Sequence, residues 1–286
     1  MSHSQAPSKP LAILLDRLDV ETLDRDLFMG RPEPGGDGPL FGGFVASQAV
    51  ITAGRTVERG FLHSLHAYFL RPGRHDLPIR YVVHRIRDGR TFTTRRVVAH
   101  QGGEAIFNLA ASFVRPEEGI SHQDRMPEAP PPDELLDWEE HRARILGDPD
   151  RRRTEGPVDV RVCDPDDATG APQEARKRVW LRARGPLPED PLVHTALLVY
   201  ASDRTLISTA ARPHGMPWGR RTAASLDHAV WIHRPPRLDG WLLLVSESPA
   251  AHSARGLVFG AMYERASGLR IASVAQEGLI RTPRRS

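Results

Sequence analysis

The sequence predicts an α+β fold in two tandem copies, each an antiparallel sheet wrapped around one long central helix. Two observations carry that reading. Residues 63–72 read HSLHAYFLRP and residues 227–235 read DHAVWIHRP, with the Arg-Pro arginines Arg71 and Arg234 standing 163 residues apart. In each copy the last two strand-like runs flank a hairpin turn, Gln101-Gly102-Gly103-Glu104 in the first and Arg265-Ala266-Ser267-Gly268 in the second. So long a period means two related domains, not a solenoid. A sheet with one apolar face needs a cover, and one long helix per copy supplies it.

The elements follow in order. Residues 1–9 form a polar tail, and 10–19 a short helix. The Pro/Gly-rich stretch 32–38 turns the chain. Residues 41–57 predict the first long helix, opened by Gly42-Gly43, with Phe44, Val45, Ala49, Ile51 and Ala53 on its buried side. Strands are expected at 62–70, 79–87, 91–100 and 105–114. From 116 to 155 proline and acid dominate (PEAPPPDELLDWEEH), which reads as an ordered linker crossing the surface with one helical stretch near 134–146. Strands at 158–162 and 179–183 precede a second long helix at 193–211 and a loop at 212–220. Further strands are expected at 224–233, 241–247, 255–264 and 269–280. The resulting units are 10–117, a linker at 118–155, and 156–284, the last carrying the polar candidates below.

Bulk numbers narrow the function. The chain has 286 residues, 40% of them hydrophobic, enough for ordinary cores. Its formal net charge is +3, yet lysine occurs only at Lys9 and Lys177, so nearly all positive charge is arginine. That bias fits a GC-rich bacterial genome. The arginines are interspersed with acids, and no basic block is interleaved with aromatics, so no nucleic-acid partner is expected. One cysteine, Cys163, excludes an intrachain disulfide. The start MSHSQAPSKP lacks an apolar core, and no stretch nears the roughly 20 apolar residues of a membrane helix. The terminal Arg284-Arg285-Ser286 is not a peroxisomal address. A cytoplasmic location without membrane insertion is expected.

Several chemistries are missing. No Gly-x-Ser-x-Gly elbow, phosphate loop or dinucleotide fingerprint occurs. His63 and His66, three apart on a strand, point to opposite faces and make no zinc pattern. No cofactor and no metal are expected. Cys163 lies in CDPDD, where neighbouring acids raise a thiol's pKa and blunt it as a nucleophile.

Asp203 stands out. Val193, Ala196, Leu197, Tyr200, Ile207 and Ala210 form one apolar stripe at helical spacing, and Asp203 falls on it. A carboxylate facing a core is costly unless hydrogen-bonded. The spacing leaves two readings open: a functional carboxylate, or a structural one paired with Arg204 or another arginine. The matching polar residue of the first helix is Gln48, which cannot act as a base. Ser225 begins the strand leading into the second signature, and Gln276 shares a face with Val274, Gly278 and Ile280, where an amide needs a partner. Asp227 is a rival carboxylate. It stands two residues beyond Ser225, on the same strand face, and its neighbour His228 suggests an ion pair.

With these residues in view, the chain resembles the type II acyl-CoA thioesterases, double-hotdog enzymes, over about residues 11–281. The motifs are LFGG (40–43), HSLHAYFLRPG (63–73), RDGRTFTTRRV (87–97), YASD (200–203), LDHAVWIHRP (226–235), SARG (253–256) and QEGLIR (276–281). The resemblance implies a tandem double hotdog and a catalytic trio falling on Asp203, Ser225 and Gln276. Some members carry Thr where this chain has Ser225. The family histidine falls on His63, for which a structural role is expected. The match is poor over 151–175.

The implied reaction is hydrolysis of acyl-CoA to free fatty acid and CoA, a step of fatty acid and lipid metabolism, without a covalent intermediate. Asp203 would deprotonate water held by Ser225 and Gln276, and N–H groups at a helix start would polarise the carbonyl. The acyl tail would lie between sheet and helix, and surface arginines would meet the CoA phosphates. One site per chain follows, with the first half a packing partner, Gln48 dispensable and a homo-oligomer, dimer or tetramer, expected. Two other readings stand beside this one. A double-hotdog enoyl-thioester hydratase or dehydratase would want an Asp/His pair, and none is evident around Asp203. A catalytically inactive acyl-CoA-binding module would not need all three polar side chains.

Overall fold

The computed structural model describes residues 6–35, 38–148, 156–216, 219 and 221–282. The expectations for 1–5, 36–37, 149–155, 217–218, 220 and 283–284 lie outside the described residues.

The first half opens with α1 (Lys9–Leu18), whose first turn holds Pro10 and whose N-cap Ser8 accepts the Leu11 N–H. Two strands follow that the sequence pattern did not announce, β1 (Glu21–Asp24) and β2 (Leu27–Gly30). Each has four residues, and β1 is exposed throughout, so neither shows a readable alternation. Then come α2 (Gly42–Arg55), β3 (Phe61–Phe69), β4 (Ile79–Asp88), β5 (Phe92–Gln101) and β6 (Glu104–Val114). The expected buried side of α2 is buried, and so is the other. Gly43 to Ala53 are all buried, because the sheet covers one side of the helix and a second helix the other.

The linker lies along the second half. Trp180 Nε1 donates to Pro130 O at 2.8 Å, Arg178 to Glu128 O at 2.7 Å and Tyr263 to Asp124 at 2.8 Å. Its helix α3 (Trp138–Leu146) starts later than expected, at an Asp137 N-cap, and stops at Gly147 with φ 65°. A small satellite core of Trp180, Trp241 and Leu243 closes beneath it.

The second half contains β7 (Val158–Val162), β8 (Arg176–Ala183), α4 (Pro191–Ser202), α5 (Leu206–Ala211), β9 (Thr222–Ser225), β10 (Asp227–Ile232), β11 (Leu242–His252), β12 (Arg255–Glu264) and β13 (Arg270–Arg281). Two expected continuous elements are broken. The helix foreseen over 193–211 ends at Asp203, its C-cap, and resumes as α5. The strand foreseen over 224–233 breaks between β9 and β10, where the ladder to β13 slips by one residue: Ser225 faces Gly278, but Ala229 faces Ala275. A slip of this kind is a β-bulge, which reverses which side chains face inward.

The two sheets of the double hotdog join edge to edge. The strand order is β1-β2-β4-β5-β6-β3-β10-β13-β12-β11-β8-β7, with β9 also on β13. The seam is the antiparallel pair β3–β10, the two signature strands. His66 lies directly opposite Ala229, its own counterpart at the 163-residue period, so a local two-fold passes between them. The Arg-Pro signatures do matching work. Arg71 donates to Ala105 O at 2.8 Å and Arg234 to Arg270 O at 2.6 Å, each tying its signature to the last strand of its own half.

Helices α2 and α4 pack antiparallel inside one core shared by both halves. Glycine permits the closeness: a Cβ on Gly43 would sit 2.8 Å from Tyr200 O, and one on Gly54 2.5 Å from Leu192.

Candidate active site

The two breaks in the second half build the site. At the end of α4, Asp203 turns its carboxylate to the sheet and is 7% exposed. The bulge after Ser225 turns that hydroxyl to the same inner face. Gln276, on β13, is fully buried on the face it shares with Val274 and Gly278, as its spacing predicted.

The three side chains form a closed triangle. Gln276 Nε2 donates to Asp203 Oδ1 at 2.5 Å, Ser225 Oγ donates to the same oxygen at 3.1 Å, and Gln276 Nε2 also donates to Ser225 Oγ at 3.1 Å. Oδ1 is therefore saturated by two donors. The other oxygen, Oδ2, faces the first half, 3.1 Å from where a Cβ of Gly42 would lie. Gly42 starts α2, and the N-cap Phe41 makes no side-chain cap. A helix start leaves orphan N–H groups and a partial positive charge. Asp203, at the unfavourable C-terminal end of its own helix, thus sits beside the favourable end of the other.

Asymmetry runs through the two-fold. The first half repeats the bulge, since Leu62 faces Phe113 but Ser64 faces Ser112. In matching places it carries Leu62 for Ser225, Ala111 for Gln276 and the C-cap Thr56 for Asp203. Thr56, not Gln48, is thus the counterpart of Asp203, because the C-caps of α2 and α4 correspond. Thr56 is held by Arg95, itself 1% exposed, whose Nε reaches its hydroxyl at 2.8 Å. At the opposite pole, α4 is capped by Asp190, which accepts the Leu192 N–H at 2.9 Å. The first half has neither the carboxylate nor a facing uncapped helix.

Other sequence candidates fall elsewhere. Gln48 is fully buried and satisfied: it donates to Arg17 O and Arg31 O and accepts from Tyr81 at 2.8 Å. Arg204 pairs with Glu139 at 3.1 Å, so the structural alternative for Asp203 finds no support in that arginine. Asp227 does not pair with His228. It accepts the Glu277 N–H at 2.6 Å, and the bulge puts it on the face opposite Ser225. His63 bonds Ser112 at 2.8 Å and meets Phe92 edge-to-face, within the first half. Burial, and then Asp164, pushes the Cys163 thiol up to about 12, so it is inert.

Two residues named in the sequence analysis were not placed beside Asp203 there. Gly42 is one. His228 is the other: it is 1% exposed, and its Nε2 lies 2.9 Å from the hydroxyl of Ser202, the residue before Asp203. A histidine does therefore stand near the carboxylate, contrary to expectation. The signal was present in the repeat, where His228 takes the place of Leu65.

A groove of about 1020 Å³ lined by Arg176, Arg178, Phe259, Tyr263 and Arg270 contains none of the trio. Among the described residues no cluster of His, Cys, Asp or Glu could hold a metal ion, and no helix is long and apolar enough to cross a membrane.

The fold is a double hotdog, and the comparisons make the chain a thioester hydrolase. The model of the acyl-CoA thioesterase family matches residues 149–279, and that of the acyl-CoA thioesterase N-terminal domain matches 31–114. Mouse acyl-coenzyme A thioesterase 8 is 39% identical over 92% of this chain and 87% of its own. Acyl-CoA thioesterase 2 of Haemophilus influenzae is 36% identical over 94% and 96%. The crystal structure of an acyl-CoA thioesterase II from Mycobacterium marinum superposes with a TM-score of 0.79, at 39% identity, over 95% of this chain and 99% of that one. The chain belongs to the acyl-CoA thioesterase family.

Proposed function

We propose that the chain hydrolyses fatty acyl-CoA to free fatty acid and CoA by direct attack of a water that Asp203 deprotonates. The observation that carries this is the division of labour on one carboxylate: Oδ1 is saturated by Ser225 and Gln276, while Oδ2 faces the start of α2. A general base needs a free lone pair held in place, and positioned base catalysis is worth about 10² to 10⁴ in rate.

Water, held beside the trio, gives its proton to Asp203 Oδ2 as its oxygen attacks the thioester carbonyl. The developing oxyanion meets the orphan N–H groups at Gly42 and Gly43, and the α2 dipole favours it. Collapse expels CoA as thiolate, which takes the proton back from Asp203. No side chain is acylated. The acyl tail lies between sheet and helices, and surface arginines meet the CoA phosphates. The unit boundaries 10–117, 118–155 and 156–284, one site per chain, a homo-oligomer and a cytoplasmic location complete the reading.

The test is thiol release from palmitoyl-CoA, with the protein acid-quenched during turnover and weighed intact. Release with unmodified protein is expected. An accumulating acyl-protein would replace direct attack by a covalent route. Uptake of an enoyl-CoA without thiol release would make the chain a hydratase, and binding without reaction an inactive module.

A further inference from the structure

The inference rests on the assignment of Asp203 and Gln276 just made. Two buried acceptors beside the trio lack a partner among the described residues: Gln276 Oε1 and His228 Nδ1. Both side chains are effectively inaccessible, at 0% and 1%. Continuing the β10–β13 register from Ala229 opposite Ala275 places His228 opposite Gln276 on the inner face. Directly opposed side chains stand about 5 Å apart at Cβ.

One assignment of hydrogens satisfies both contacts of Ser202 at once. Ser202 has one hydroxyl proton, and it goes to Val199 O at 3.0 Å. The Ser202 oxygen is then an acceptor, so His228 Nε2 carries the hydrogen in their 2.9 Å contact. In a neutral ring Nδ1 is consequently bare. Burial keeps the ring neutral by holding its pKa below the ordinary histidine value, although Asp203 and Asp227 pull the other way. The Gln276 amide cannot flip to serve Nδ1 without turning its oxygen on Asp203 Oδ1. Two bare acceptors facing each other cannot bond directly; they need one molecule with two hydrogens to give.

The repeat supplies an independent argument. Around the two-fold, Asp203, Ser225 and Gln276 replace Thr56, Leu62 and Ala111, and His228 replaces the fully buried Leu65. The first half shows that this place packs with an aliphatic side chain. The exchange for a polar group occurs in the half that holds the trio.

We propose that His228 is a positioning residue of the site: it holds a buried water between its Nδ1 and Gln276 Oε1, which locks the amide with its nitrogen toward Asp203. Its own Nε2–H anchors the last turn of α4. The direction of Asp203 Oδ1 then depends on a residue that touches neither substrate nor attacking water.

Three exchanges on the intact enzyme test this by thiol release. His228→Asn puts an amide where Nδ1 stands and abandons Ser202. His228→Gln reaches Ser202 and abandons the water. His228→Leu copies the first half and keeps the packing. We expect Asn to retain kcat within about threefold. Gln and Leu should lose about tenfold or more, with KM unchanged, since small misplacements at a reacting centre cost up to about a hundredfold. The opposite order, Gln active and Asn slow, or a kcat within twofold of wild type for both Gln and Leu, would overturn the proposal. Should Leu fail to fold, the Asn–Gln order still decides. Asp203→Asn run alongside separates the two claims: if it remains active the trio reading fails, and if it is inactive while Gln and Leu are unimpaired only the role of His228 fails.

Discussion

Gly42 and Asp203 face each other across the two halves: a Cβ on the glycine would lie 3.1 Å from Asp203 Oδ2 and 2.6 Å from Phe69. The first half therefore does more than pack against the second. It delivers the start of α2 to a carboxylate that only the second half carries. Gly42→Ala must push the Phe69 ring aside, so a modest loss of Tm is expected while the fold holds. The methyl group occupies the space in front of Oδ2, and kcat for thiol release should fall about tenfold or more. A variant with unchanged kcat would remove the α2 terminus from the mechanism.

Ser225→Thr should keep activity within a few-fold, because the hydroxyl that bridges Gln276 and Asp203 survives. Ser225→Ala removes one of the two donors on Oδ1 and should lower kcat about tenfold, with little change in Tm. Equal rates for Ala and wild type would leave Ser225 a packing residue.

Gln48→Ala should separate structure from catalysis. The amide ties α1 to Arg31, just after β2, and accepts from the buried Tyr81 hydroxyl. Its loss leaves buried groups unpaired, at about 1–3 kcal/mol. Urea unfolding should show that loss while kcat stays within a few-fold. An inactive but stable variant would contradict the one-sided site.

Acid stability should depend on His141. Its Nε2 accepts the Asp166 N–H at 3.0 Å, and burial, with Lys177 adding to it, pushes its pKa down to about 4. The folded ring stays neutral where the unfolded one, near 6.5, takes a proton. The unfolded state thus binds about one proton more between pH 6.5 and 4, and stability falls as pH drops through that window. His141→Gln keeps an acceptor without titrating. Its unfolding free energy should lose about one proton's worth of slope over the same range; an unchanged slope would place the acid sensitivity elsewhere.

Much of this was legible in the sequence, for physical reasons. The long inward-facing runs, α2 and β4 to β6, announced themselves through periodicity. The repeat gave the two-fold, and Gln276 betrayed itself as an amide on an apolar face. The breaks were not legible. The apolar stripe of α4 continues through Ile207 and Ala210, so nothing in the spacing marks the stop at Asp203. The bulge after Ser225 is a one-residue slip, and a strand pattern read without it puts Asp227 on the wrong face. His228 was hidden by its neighbour, since a histidine beside an aspartate in sequence invites an ion pair that strand alternation forbids. The exposed β1 carries no pattern at all.

The central claim is that Asp203 is the base. The direct measurement is kcat for free-thiol release from palmitoyl-CoA by Asp203→Asn, with Tm and acyl-CoA binding followed on the same sample. Asn keeps the volume and can still accept from Ser225 and Gln276, but it cannot take a proton from water. The account predicts a fall in kcat of about 10² or more with Tm and binding nearly unchanged. A fall of less than about tenfold would contradict it and move the base to another residue.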